Sequence, residues 1–359
     1  TGALTITGTS SINAGANYIE LTNSSNDFVG AVTLNATGAT IAIRDANALT
    51  LASPTLGANT GIRAIAGTTL TLPSFSFSTG AGNIDFQSGS GTLATNGTLT
   101  TSSGTVSLKG SAGVTVGHNI TTTSGSVSVI GAGVNLTSTN TIDAGSSTIT
   151  LDGNDGAITL TGALTTTNIT SAAIVIQNAS TVSLGNITTG ATGTVTLGAT
   201  TSGDELTGAV TQTGIINTET LIGNTAAAVT LLGANTLTNL GAFTSGTVGF
   251  SLNDLGGLTV TGNVTNTSGA VSIVTTASPL IISADITATA QSLTLTGVGI
   301  NQTIGTILAA GLTVNAGAGA IALSQTSNDF TGAVSLNNSG LNNVAIVDID
   351  DITIDVTIL

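Results

Sequence analysis

The chain has 359 residues, of which 48 are Gly and 3 are Pro, and it contains no Cys, Met or Trp. Formal net charge is −14, from 17 acids against Arg44, Arg63 and Lys109. So few cations cannot neutralise a run of phosphates, which excludes nucleic acid as a partner. No apolar run approaches the roughly 18 residues of a spanning helix, which excludes helical membrane insertion.

The length would suit two or three ordinary domains, but only 6% of residues are charged, against about 25% in a typical soluble domain. Disorder does not fit a mean hydropathy of +0.49, because Val, Ile and Leu supply ample apolar surface to bury. The lack of Cys removes disulfides and thiol chemistry. The absence of Met and of a basic, then apolar, leader reads as a mature or excised segment.

In chain order the sequence is a succession of short apolar alternations. They run Ile19/Leu21, Val32/Leu34, Ile41/Ile43, Leu70/Leu72, Val106/Leu108, Val127/Val129, Ile149/Leu151, Ile158/Leu160, Val182/Leu184 and Val195/Leu197. Each pair brackets one residue, mostly Thr or Ser, which is the period of a strand with one buried face. Thr, Val and Ile suit a pleated surface. Gly, Asn, Asp and Ser gather between the pairs, where turns need them. No segment has a helical period.

Repeats select the architecture. Leu99-Thr100-Thr101-Ser102-Ser103-Gly104-Thr105-Val106-Ser107-Leu108 returns as Ile120-Thr121-Thr122-Thr123-Ser124-Gly125-Ser126-Val127-Ser128-Val129, a shift of about 21 residues, and again from Val264 to Ile273. A longer repeat relates residues 13–38 to 315–340, with roughly 16 of 26 positions identical at a shift of about 302 residues. The expectation is one continuous solenoid over residues 1–359, about one super-repeat plus overlap. It is an all-β parallel β-helix with coils of about 20 residues, whose inward side chains stack in columns. Tandem immunoglobulin-like sandwiches are the alternative. They call for buried aromatic anchors, and the chain has only Tyr18 and 7 Phe.

Asn-Asp-Phe-x-Gly-Ala-Val-x-Leu-Asn at 26–35 and 328–337, with Leu-Thr-Leu-Thr-Gly at 293–297, resembles the repeat regions of large filamentous-haemagglutinin-like exoproteins. The resemblance covers nearly the whole chain as composition and repeat style. It implies a right-handed β-helix, export by two-partner secretion from a Gram-negative bacterium, and a non-catalytic role in adhesion, aggregation or biofilm matrix. It also implies an extracellular or cell-surface location. The partners it implies are further copies of the repeat and a host or neighbouring-cell surface. A filament subunit joined end to end is a second reading. A glycan-binding or ice-binding solenoid is a third.

Little in the sequence has the pattern of catalysis. His118, the only histidine, has no Cys or second His to join it, and a turn position is the simpler reading. Asp143, Asp152 and Asp155 would act as a carboxylate pair only if adjacent coils brought two of them together across a groove. No cofactor is implied. Ca²⁺ is the one ion these carboxylates would take. Its candidate ligands are Asp348, Asp350 and Asp351, on a strand of alternating Asp and Ile, and Asp152 and Asp155 in Asp-Gly-Asn-Asp-Gly. A solvated acidic face is the competing reading. Asn-x-Ser/Thr triplets at Asn119, Asn168 and Asn186, among others, are glycan acceptors by motif, although a chain rich in Asn, Ser and Thr forms many by chance. The pairs Thr5/Thr7, Thr69/Thr71, Thr148/Thr150 and Thr294/Thr296 suggest ice-lattice matching, but outward Thr is also simply a good strand former.

Overall fold

A computed structural model describes residues 2–199, 203–246 and 248–358, apart from the side chains of residues 290 and 356–358. Among the described residues every regular element is a strand or an isolated bridge, and no helix is long and apolar enough to cross a membrane. The strands pair in parallel and form a right-handed β-solenoid with coils of about 22 residues. The chain divides into two compact units, one of Thr1–Ile169 with Ala173–Ser180 and one of Thr170–Ala172 with Thr181–Leu359.

In the first unit each coil places strands in three ladders. The first ladder steps from Ile19–Leu21 through Thr40–Asp45, Gly61–Ala66, Ile84–Ser88, Val106–Gly110, Val127–Gly131 and Ile149–Asp152 to Ile174–Gln177. Its register stacks Ile19, Ile41, Ile62, Ile84, Val106, Val127, Ile149 and Ile174 in one column. Each of these residues is at most 4% exposed. The second ladder includes Phe77–Thr79, Leu99–Thr101 and Ile120–Thr122. The third includes Leu93–Ala94, Val114–Val116 and Val134–Leu136. Alternation explains the arrangement. In Val106–Gly110 the first, third and fifth residues are buried and the second and fourth face outward. Each Val, Ile or Leu taken out of water favours folding by about 1.5–3 kcal/mol, and the parallel register lets every coil do this against the one before.

The second unit repeats the plan. Gly249–Asp254, Ala270–Thr275, Ile286–Thr296, Ile307–Asn315 and Ala333–Asn337 form one ladder, with Phe250, Val271, Leu293, Leu312 and Val334 in register. Val229–Thr244 rounds two corners as one strand. It pairs in turn with Gly249–Asp254, Leu258–Val260 and Val264–Thr265, and its register shifts between Leu231 and Asn235. Six of the seven Phe fill the cores, while Tyr18 is exposed. Phe77 and Phe86 meet edge to face at 5.0 Å in the first unit, and Phe243 and Phe250 lie 4.9 Å apart in the second.

Polar residues inside the coils close the corners. Thr79, Thr101 and Thr122 are buried and stacked in register. Each donates its hydroxyl to the carbonyl of the Gly three residues on, Thr79 to Gly82 at 2.6 Å and the others to Gly104 and Gly125. This satisfies a buried hydroxyl and a corner carbonyl together. The outward members of the Thr-x-Thr pairs behave as strand formers. Thr150, for instance, faces out between buried Ile149 and Leu151.

The two Asn-Asp-Phe corners make equivalent hydrogen bonds. The Asn26 amide accepts from Leu4 N and donates to Leu21 O. The Asn328 amide accepts from Ile307 N and donates to Leu323 O. Phe28 N donates to Asp45 Oδ2 at 2.8 Å, and Phe330 N to Asp348 Oδ1 at 3.1 Å. Asp348, Asp350 and Asp351 lie between the strands Val344–Ile346 and Thr353–Ile358 and not on one, and of the three only Asp348 departs from the expected outward position. Asp348 turns inward to the backbone of the preceding coil, while Ile349, Ile352 and Ile354 are exposed.

Candidate functional site

Most of the residues singled out for chemistry serve the coil itself. Asp143 and Asp152 end different strands of one coil, Thr141–Asp143 and Ile149–Asp152. Asp143 Oδ1 accepts from Gly145 N at 2.9 Å. Asp152 Oδ1 accepts from Asn154 N at 2.8 Å and Asn178 Nδ2 at 3.2 Å, and Oδ2 accepts from Gln177 Nε2 at 3.4 Å. Asn154 and Asp155 adopt left-handed backbone angles, with φ of 42° and 65°, which Asn and Asp tolerate in tight turns. Among the described residues no three acids or imidazoles converge as metal ligands do. His118 is exposed, and its Nδ1 lies 3.1 Å from Thr95 O one coil back, fastening a turn.

The Asn residues of the acceptor motifs share a structural task. Asn119 Oδ1 accepts from Thr141 N at 2.9 Å and Asn186 Oδ1 from Ile215 N at 3.0 Å. Asn83 and Asn263 bridge in the same way to Thr105 N and Asp285 N. Asn168 is only 6% exposed, so the acceptor expectation fails there: a glycan would have to displace the corner that covers it.

Charge is where the structure brings together what the sequence scatters. All three cations lie on the outward face of the first unit's first ladder. Arg44, Ile65, Gln87 and Lys109 form one column, and Ala42, Arg63, Asp85 and Ser107 the next. The ion pair found among the described residues is Arg63 Nε to Asp85 Oδ2 at 3.1 Å. Gln87 Nε2 donates to Asp85 Oδ1 at 3.0 Å. Beside this pair lies an open groove of about 370 Å³, lined among others by Thr40, Asn59, Arg63, Asn83 and Asp85. The Oδ1 atoms of Asn59 and Asn83 are occupied by Ala81 N and Thr105 N, which leaves their Nδ2 groups as the side chains' unused donors. Sequence reading missed this site. Its signal was that Arg63 and Asp85 stand one coil length apart.

In the second unit Asp254 is fully buried without a cation. Its oxygens accept from Leu237 N at 2.7 Å and Gly256 N at 2.8 Å. Burial pushes its carboxyl above the ordinary carboxylate value, against the opposing pull of those two amides. The folded chain keeps this proton to higher pH than the unfolded chain does. The group's contribution to stability is therefore complete below the ordinary Asp value and is lost as pH rises through the raised one. Asp254→Asn abolishes that titration, so calorimetry from about pH 3 to 7 should show the variant gaining on the parent as pH rises. A pH-independent difference in melting temperature would refute it.

A family model described as repeats of unknown function (DUF5649) matches residues 1–35 and 273–337. Both segments contain an Asn-Asp-Phe corner, at 26–28 and 328–330. No curated protein and no solved structure matches the chain.

Proposed function

We propose that the chain is a structural, non-catalytic segment of a secreted bacterial cell-surface adhesin or extracellular fibre, serving adhesion, aggregation or the biofilm matrix. The observation that carries this reading is the use of its polar side chains. Asn83, Asn119, Asn186 and Asn263 each tie one coil to the next through a backbone amide. Asp143 and Asp152, two of the acids considered for catalysis, are engaged with turn amides. Coils that depend only on their neighbours suit a repeat region in which length is the selected property. The likeness of Asn26–Asn35 and Asn328–Asn337 to exoprotein repeats supports the extracellular setting, with further copies of the repeat as its neighbours.

Sedimentation and negative-stain microscopy over a concentration series test this. The expected result is one species whose size does not change. Filaments that lengthen with concentration would replace the reading with a polymerising subunit, and turnover in a panel of glycan substrates would end the non-catalytic one.

A further inference from the structure

The three cations were free to pair with any of 17 acids, yet they stand within four consecutive coils of one sheet face. We infer that this face binds a short run of uronic acid residues in an acidic saccharide, with the groove beside Arg63 holding one carboxylate. The inference is independent of the structural role proposed above.

The groove offers donors in excess. Arg63 gives Nε to Asp85, and its two terminal nitrogens remain, spaced for both oxygens of one carboxylate. The Nδ2 groups of Asn59 and Asn83 border the same space, since their carbonyl oxygens face the coil backbone. Asp85 and the hydroxyl of Thr40 supply acceptors for sugar hydroxyl groups. An ionised carboxylate has about four acceptor positions, and Arg63 and Gln87 leave part of Asp85's capacity open.

The remaining cations give the site its direction. Arg44 and Lys109 are exposed and share one column. They are three coils apart, or about 14 Å at the strand spacing of a sheet. A chain laid across the coils would meet Arg44, then the groove, then Lys109. Acids limit the patch at both ends. Glu20 faces Ala42, which precedes Arg63 in its column, and Asp152 faces Ile130 beyond Lys109. A short stretch of regularly spaced carboxylates fits between them, whereas a long uniform polyanion is repelled by the rest of the surface. The groove lining holds none of the aromatic anchors that protein interfaces favour and on which uncharged sugars stack. Its charge thus favours an acidic saccharide over either.

The test is calorimetric titration of the whole chain with a short oligogalacturonate at low salt, beside its fully methyl-esterified form and the monosaccharide. The expected result is saturable binding of the oligomer that weakens as salt is raised, weaker binding of the monosaccharide, and none of the ester. Arg63→Gln should weaken binding at least tenfold. Arg44→Gln with Lys109→Gln should weaken it severalfold and flatten the salt dependence, all at unchanged melting temperature. Equal binding of the ester, or undiminished binding by Arg63→Gln, would overturn the assignment. Salt-sensitive self-association that disappears in Arg63→Gln, without saccharide binding, would overturn it too and assign the face to a second copy of the chain.

Discussion

Replacing Val127 with Asp is expected to open the middle coils of the first unit. Val127 is 1% exposed and lies in register between Val106 and Ile149, so the new carboxylate would sit inside a column of aliphatic side chains. The substitution forfeits about 2 kcal/mol of apolar burial. Desolvating an unpaired charge adds several kcal/mol more. A domain's whole stability is only about 5–15 kcal/mol, so the loss is comparable with the total. Because each coil rests only on its neighbours, the damage should be local at first. Hydrogen exchange should show protection lost across Val106–Gly110 and Ile149–Asp152 before the outer coils. Acid should restore part of it, since the introduced carboxyl, once protonated, carries no charge to desolvate. Val127→Thr, close in shape, should cost about 1–3 kcal/mol. A melting temperature for Val127→Asp within a degree or two of the parent would show that the column is not a packed core.

That prediction rests on the part of the fold that was legible from the start. Ile41/Ile43, Val106/Leu108 and Val127/Val129 announce a buried face because alternation is a local signal, and the coil-length repeat then fixes which residues must stack. The polar interior was not legible, for a physical reason. Thr79, Thr101, Thr122, Asp45 and Asp254 are buried because backbone groups satisfy them, and for Asp45 and Asp254 one partner lies 17 residues away. A window of a few residues contains the Asp and its local turn amide but not the donor from the other coil strand. Asp348 misled for the same cause, since an Asp-Ile alternation looks outward until Phe330 N is placed opposite it.

The cationic face shows the complementary limit. Arg44, Arg63 and Lys109 are ordinary isolated cations in the sequence, between Ile43 and Asp45, Ile62 and Ala64, and Leu108 and Gly110. Only the register, with Ala42 against Arg63 and Gln87 against Lys109, converts their spacing into proximity. In a solenoid a surface site is written one residue or two per coil. Motif spacing along the chain therefore carries almost no information about it until the coil length is known to the residue.

Glycine offers the sharpest test of how closely the coils approach. A Cβ at Gly125 would lie 1.8 Å from Gly104 O, and one at Gly104 would lie 2.0 Å from Gly82 O. The obstructing atoms are backbone, so no rotamer can relieve the contact, and Thr122 holds the Gly125 carbonyl in place. Gly125→Ala should therefore force the two corners apart, break the Thr122 clamp and cost at least about 2 kcal/mol, toward the upper end of overpacking losses. At Gly311 the same change meets nothing nearer than Ala333 O at 3.6 Å, an ordinary contact, and its φ is not in the left-handed region. There the added methyl only restricts the unfolded chain, and Gly311→Ala should stabilise the second unit by about 0.4–1 kcal/mol. Denaturant midpoints of the two variants measure both effects. Opposite signs would place the purpose of the corner glycines in backbone contact between coils. Equal losses would place it in chain flexibility, which a stack clamped by Thr79, Thr101 and Thr122 gives no reason to expect.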